Sequence, residues 1–394
     1  MKIALICACD RNNYGDLLMP IVFEKQYRYK NPNENVIFEY YGQRDSDMSY
    51  VKSNNTKALY KCYNNCDMAI IAGGEVLSAN FKLMYFNLQK NHLKIFLLRC
   101  LNKIFPNQME KIAKKILHGK TDKPWILDKD TLGCKKLIYN TVGGKFENKP
   151  NIIKNIKKAD YMAIRNKNDY DEILNYKSDI KLYPDSVVVL SKVIRDDEIN
   201  KNVRENIKKM TSKKYFIIQI DKRDGKKLVE DLAKQINKIC DELDMNCILL
   251  PIGYAQGHED QIILKKIKNK CNNKRVLMPD FTNIFETIYI IKNTEIFIGT
   301  SLHGIITATS YYIPHMVLTS KLPKLLNYVN TWDSTPIKYT EVNKLYANIN
   351  TLLNTPNLKE NLIDKANKII EKAEENFYNI NNIINEELNN EKRK

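Results

Sequence analysis

The stretch Ile296-Phe297-Ile298-Gly299-Thr300-Ser301-Leu302-His303-Gly304, with the apolar run from Ile305 and the Ile313-Pro314 turn behind it, decides the fold class. Its first residues read as a buried strand, Gly299-Thr300-Ser301 as a loop, and the remainder as a helix carrying His303 in its first turn. Strand-to-helix turns of this kind belong to α/β proteins, where backbone N–H groups and the positive end of the helix dipole hold anions. An imidazole in that position can bind a phosphate or transfer a proton. His258, within Gly253-Tyr254-Ala255-Gln256-Gly257-His258-Glu259-Asp260, follows another predicted strand and can face the same cleft, whereas His92, His118 and His315 have no comparable setting.

Outward from that turn, short apolar runs alternate with helical patterns, the grammar of parallel sheets covered by helices. Lys2 to Cys9, Asn35 to Tyr41, Met68 to Ala72, Lys136 to Thr141, Tyr161 to Ile164 and Ile180 to Tyr183 are predicted strands of a first series. Lys214 to Ile220, Asn246 to Pro251, Arg275 to Met278, Glu295 to Ile298 and His315 to Leu318 form a second. The repetition predicts an α/β fold of two Rossmann-like domains facing a cleft, residues 1–192 and 193–339. Residues 340–394 are polar, lack Gly, and are expected to form a helical tail.

Composition agrees with two domains, because 394 residues exceed what one hydrophobic core supports and a hydrophobic share of 43% can fill two. No window approaches the ~20 consecutive apolar residues of a membrane span. Met1 to Cys7 is too short an apolar run for a signal sequence, and Asp10, Arg11 and Asp16 follow at once, so a first strand is expected. Cys62 and Cys66 make a tight cysteine pair, without partners at zinc spacing, so reduced thiols, a cytoplasmic setting and no metal are expected.

The net charge of +17 is distributed unevenly. Lys82, Lys90, Lys94, Arg99, Lys103, Lys111, Lys114, Lys115 and Lys120 stand against the single acid Glu110, interleaved with Leu, Ile and Phe at helical spacing. A basic amphipathic helix pair over residues 82–120 can lie on an anionic bilayer, at the inner face of the cell membrane. The alternative is a helical hairpin whose apolar face joins the first domain's core. Nucleic acid is not an expected partner, since no helix-turn-helix, zinc-finger or RNA-recognition signature appears.

Three further loops fall at the carboxyl ends of predicted strands, where open α/β sheets bind ligands: Asn12-Asn13-Tyr14-Gly15-Asp16, Ala72-Gly73-Gly74-Glu75 and Thr141-Val142-Gly143-Gly144. The chain has neither the Gly-x-Gly-x-x-Gly fingerprint nor the Walker Gly-x-x-x-x-Gly-Lys, which lowers dehydrogenase and P-loop readings.

Taken in order, Asn13-Tyr14-Gly15-Asp16, Ala72-Gly73-Gly74-Glu75, Ala163-Ile164-Arg165, Tyr183-Pro184-Asp185-Ser186 and Gly299-Thr300-Ser301-Leu302-His303-Gly304 resemble the motifs of the polysaccharide pyruvyl transferase family. Ile313-Pro314 and Lys321 extend the likeness. The resemblance implies a two-domain architecture like that of the GT-B glycosyltransferases. It also implies transfer of a pyruvyl unit from phosphoenolpyruvate, with no separate cofactor, to two hydroxyls of a sugar in a cell-surface glycan or its lipid-linked precursor. One departure stands out: where the family shows Arg two residues before the His, this chain has Ser301. Serine cannot grip a carboxylate or phosphate by two parallel charged hydrogen bonds, so Arg165, Arg223 and Lys321 are the candidate replacements.

Ketal formation requires a general acid for the donor's methylene carbon, a base for the sugar hydroxyl and cationic groups for two anions. His303 is the candidate acid or phosphate partner, or else an imidazole that caps its own helix. Arg165 is a candidate clamp or a structural ion pair, and Asp16 and Asp185 can orient sugar hydroxyls or act as N-caps. Thr300, Ser301 and Gly304 join Arg165, Arg223 and Lys321 on the donor side; Asn13, Gly15, Gly73, Gly74 and Glu75 are assigned to the acceptor. The competing function is a GT-B-type glycosyltransferase using a nucleotide-activated sugar, for which a neutral Ser301 at a helix N-terminus suffices.

Overall fold

The computed structural model describes residues 1–89, 91–319, 321–333 and 335–393, with the backbone alone for His92, Asp224 and Lys324. Lys90, one of the basic residues named above, and Lys394, at the end of the expected tail, lie outside the described residues. The chain divides into two compact units, one of Met1–Asn12, Asp16–Ser186 and Ala373–Lys394, the other of Asn13–Gly15 and Val187–Lys372.

The first unit is built on a parallel sheet of β1 (Lys2–Ile6), β2 (Ile37–Gly42), β3 (Thr56–Ala58), β4 (Met68–Ile71), β5 (Lys136–Val142), β6 (Tyr161–Ile164) and β7 (Lys181–Leu182), in the order β3-β2-β1-β4-β5-β6-β7. Its central strands are buried on both faces, which explains why they read as unbroken apolar runs: Ile3 to Ile6 and Ile70 to Ile71 have no exposed surface. The core includes Ala4, Ile6, Ile71, Leu137, Tyr139 and Ile164, with Phe81 and, from the basic stretch that follows it, Met84, Ala113 and Leu117. That stretch forms three helices, Phe81–Asn87, His92–Ile104 and Pro106–Ile116.

In the second unit the parallel sheet consists of β8 (Tyr215–Gln219), β9 (Asn246–Leu249), β10 (Val276–Leu277), β11 (Ile296–Gly299), β12 (His315–Leu318) and β13 (Tyr339–Thr340), ordered β10-β9-β8-β11-β12-β13. Phe216, Ile218, Leu249, Ile298 and Met316 lie in its core. In each sheet the strand order reverses at the first strand, between β1 and β4 and between β8 and β11, and those switch points are where such sheets hold ligands.

Each predicted strand has a counterpart. The two strands not anticipated, β3 and β13, are three and two residues long and stand at sheet edges, too short to carry an apolar period. The division into units departs from the expected boundaries. Val187 to Leu190 are fully buried and the Ser191 amide donates to Ser310 Oγ at 2.9 Å, so the second unit begins after Ser186 and not after residue 192. Residues 340–394 are helical, mainly Leu345–Leu353 and Leu358–Lys392, yet are shared between the units. Asn367 accepts from the Tyr312 hydroxyl at 3.0 Å in the second unit, while Asn376 accepts from Tyr161 and donates to Asn140, both at 2.8 Å, in the first.

Candidate functional site

At the carboxyl edge of the second sheet, one buried network ties three loops together. Gln219, the last residue of β8, accepts the Thr300 amide at 2.8 Å and donates to Asp260 at 2.8 Å. The same Asp260 oxygen, Oδ2, accepts the amides of Ile252 and Gly253, each at 3.0 Å. Burial pushes the Asp260 carboxyl up to about 6 from its usual 3.8, against the lowering effect of these donors. Oδ1 is buried without a hydrogen-bond partner among the described residues and can carry the proton. Thr300 Oγ1 accepts the Asp221 amide at 3.2 Å, and Asp221 in turn holds Arg223 by its amide and guanidinium, at 2.8 and 2.6 Å. The Arg223 side chain is nevertheless 71% exposed.

The helix Leu302–Ser310 starts from this frame. Ser301 is its N-cap, its hydroxyl accepting the Gly304 amide at 3.3 Å, so the cap is the serine and not His303. Gly304 lies where a Cβ would come within 2.3 Å of the Phe297 ring, and its smallness serves helix-to-strand packing. His303 sits in the first turn, partly exposed, with its carbonyl accepting from Thr307 Oγ1 at 2.7 Å. Against this helix lies the segment Asn13–Gly15. The Tyr14 hydroxyl is 2.9 Å from Thr307 Oγ1 and its amide donates to the Ile252 carbonyl at 3.3 Å. Asn13 Nδ2 is 3.4 Å from His258 Nε2. A Cβ on Gly15 would stand 1.8 Å from His303 Nδ1, so only glycine lets the backbone approach the imidazole this closely.

A second cluster occupies the carboxyl edge of the first sheet. Arg165, directly after β6, donates at 2.7 Å to Asp185 and at 2.7 Å to Glu75, which follow β7 and β4. Arg165 and Asp185 are 1% and 0% exposed, Glu75 34%. Burial disfavours the guanidinium charge, but the two carboxylates outweigh it and hold Arg165 above its ordinary value. Gly73 and Gly74 carry φ of +132° and +93°, which a side chain would strain, so they form the turn that presents Glu75. Asp16 lies within the helix Tyr14–Lys30 and pairs with Arg11 at 3.4 Å. Lys321 is exposed beyond β12, its amide donating to Thr319 Oγ1 at 3.3 Å. No group of three or more His, Cys, Asp or Glu is arranged to hold a metal ion among the described residues.

A family model, that of polysaccharide pyruvyl transferases, matches residues 13–321, which begins at Asn13 and takes in both clusters. The chain belongs to the polysaccharide pyruvyl transferase family. No curated protein sequence matches it. Solved structures of similar fold include S. aureus MnaA with UDP (12% identity, 98% of this chain and 97% of that one, TM-score 0.58). The UDP-GlcNAc 2-epimerase of Neisseria meningitidis bound to UDP-GlcNAc (10%, 98% and 99%, 0.54) is another. So is that of Methanocaldococcus jannaschii with UDP-GlcNAc and UDP (12%, 90% and 93%, 0.52). At such identities the likeness shows the fold, an α/β fold of the GT-B-like kind.

Within the family match, the structure brings Asn13, Gly15, Thr300, Ser301, His303, Gly304 and Arg223 to one sheet edge in the second unit, and Glu75, Arg165 and Asp185 to one in the first. Asn13 and Gly15, assigned to the acceptor by sequence, belong with His303 because the Tyr14 contacts seat them on its helix. Tyr14 and Asp260 stand within the quoted motifs without an assigned role, and Gln219 stands in none of them. Gln219 had a signal, a polar residue ending an otherwise apolar strand; Asp260 had none, since an acid opening a helix reads as a solvated first-turn residue.

Proposed function

We propose that this transferase-family chain moves a pyruvyl group from phosphoenolpyruvate onto two hydroxyls of a sugar in a cell-surface glycan or its lipid-linked precursor. The observation that carries the reading is the contact of Gly15 with His303, two family motifs far apart in sequence that meet with no room for a methyl group. His303 delivers a proton to the methylene carbon of the donor, leaving its neighbouring carbon cationic. One sugar hydroxyl bonds to that carbon and loses its proton; the second displaces phosphate, so two O–H protons are exchanged for one C–H bond and one proton leaving with phosphate. Donor anions are met by the first-turn amides of the helix Leu302–Ser310, by Arg223 and Lys222 after β8, and by Lys321 after β12. Arg165, enclosed by Asp185 and Glu75, acts as a positioning residue that braces its loops.

A nucleotide-activated sugar is the second reading, favoured by one observation: the helix N-terminus is capped by the neutral Ser301, which suits a diphosphate. Calorimetric titration decides between them. Binding of phosphoenolpyruvate, with a loss of ~10²–10⁴ in phosphate release for His303→Ala, supports pyruvyl transfer. Binding of a nucleotide sugar with none of phosphoenolpyruvate overturns it.

A further inference from the structure

We infer that the helix pair His92–Ile104 and Pro106–Ile116 is a docking surface for an anionic lipid bilayer. The second helix is anchored in the first unit, because Met109, Ala113 and Leu117 recur every four residues and are buried. The first helix buries Ile95, 3% exposed, leaves Leu98 half-buried, and turns its other large apolar residues outward. Leu93, Phe96, Leu97, Leu101 and Ile104 form one helical stripe, each between 46% and 67% exposed. Phe105, Ile112 and Ile116 continue it. Nine of the sixteen large hydrophobic side chains exposed among the described residues lie between Leu83 and Ile116, and five of the other seven are tyrosines, so this is a patch and not scatter.

Charge selects the occupant. Lys94, Arg99, Lys103, Lys111 and Lys115 are exposed around the stripe. Glu110, the single acid of the stretch, is turned inward to accept the Phe81 and Lys82 amides at 2.8 and 3.1 Å, where it caps the helix Phe81–Asn87. What remains is apolar side chains with cations on flexible stems, a composition that fits acyl chains beneath phosphodiester headgroups. A second copy docking through the same face would set these cations against one another. No described helix is long and apolar enough to cross a membrane, so the attachment is interfacial.

The inference rests on this surface and not on the proposed reaction, and its test needs no turnover. The full chain is sedimented with vesicles of phosphatidylglycerol and phosphatidylcholine, or of phosphatidylcholine alone, at low and high salt. Two variants accompany it, Lys103→Glu/Lys111→Glu/Lys115→Glu and Leu93→Ser/Leu97→Ser/Ile104→Ser, with thermal melting to verify that both remain folded. The native chain should bind the anionic vesicles, lose binding as salt rises, and bind roughly a hundredfold more tightly than the charge variant; the apolar variant should also release. No sedimentation of the native chain, or equal sedimentation of native and variant chains, overturns the inference. So does a native dimer in light scattering that the apolar variant dissolves, which would assign the face to a second copy.

Discussion

Replacing Gly15 by Ala places one methyl group into the contact between the first motif and His303. The added Cβ would lie 1.8 Å from Nδ1, 2.3 Å from Cγ and 2.5 Å from Cε1 of His303. Ordinary contact begins near ~3.5 Å, so the imidazole must retreat by roughly 1.5 Å or leave its rotamer. Overpacking of this kind costs ~1–3 kcal/mol, offset by the ~0.5–1 kcal/mol that Ala gains over Gly within a helix. Net destabilisation of the second unit should therefore be small, about 0.5–2 kcal/mol, while a displacement of ~1 Å or more at a reacting group costs about 10² in rate. In Gly15→Ala/His303→Ala the ring is gone and the methyl fits, so the double variant should be no less stable than His303→Ala alone. Denaturant unfolding of the four proteins gives the coupling energy, expected at ~1–3 kcal/mol, and phosphate release from phosphoenolpyruvate gives the rate. Additivity within ~0.5 kcal/mol together with a near-native rate for Gly15→Ala would show that the backbone at Gly15 does not hold the imidazole in place.

Arg165→Met should destabilise the first unit by ~3–5 kcal/mol, because it leaves the Asp185 carboxylate buried without its guanidinium; a variant of native stability that has lost donor binding would instead make Arg165 a ligand clamp. Asp260 has a folded-state value near 6 against an ordinary 3.8, so the stability it contributes is complete below about pH 4 and lost as pH rises through 6, a difference of roughly 3 kcal/mol. Asp260→Asn removes that dependence, and unfolding of both proteins from pH 4 to 7 should show the native chain losing ground to the variant; parallel profiles would contradict the burial argument. Ser301→Ala should cost ~1 kcal/mol through loss of the N-cap, with little effect on donor affinity, as judged by melting and calorimetry.

The fold class is legible in the sequence, since strands buried on both faces must be apolar throughout, and runs such as Met68 to Ile71 and Ile296 to Gly299 say so locally. The sequence also singled out most of the candidate residues, because strand-end loops carry Gly, Asn and Asp for turn geometry whatever their partners. Tertiary structure alone decided the pairing. Whether Arg165 meets a ligand or two carboxylates depends on β4, β6 and β7 ending at one sheet edge, with β5 between β4 and β6, which no local pattern encodes. Gly15 looks like any turn glycine until His303 is seen against it, and Asp260 like any surface acid until Gln219 and two backbone amides close over it. Propensity acts through neighbours in sequence, whereas charge pairing, burial and close approach act through neighbours in space, and those are set only when the sheet order is complete.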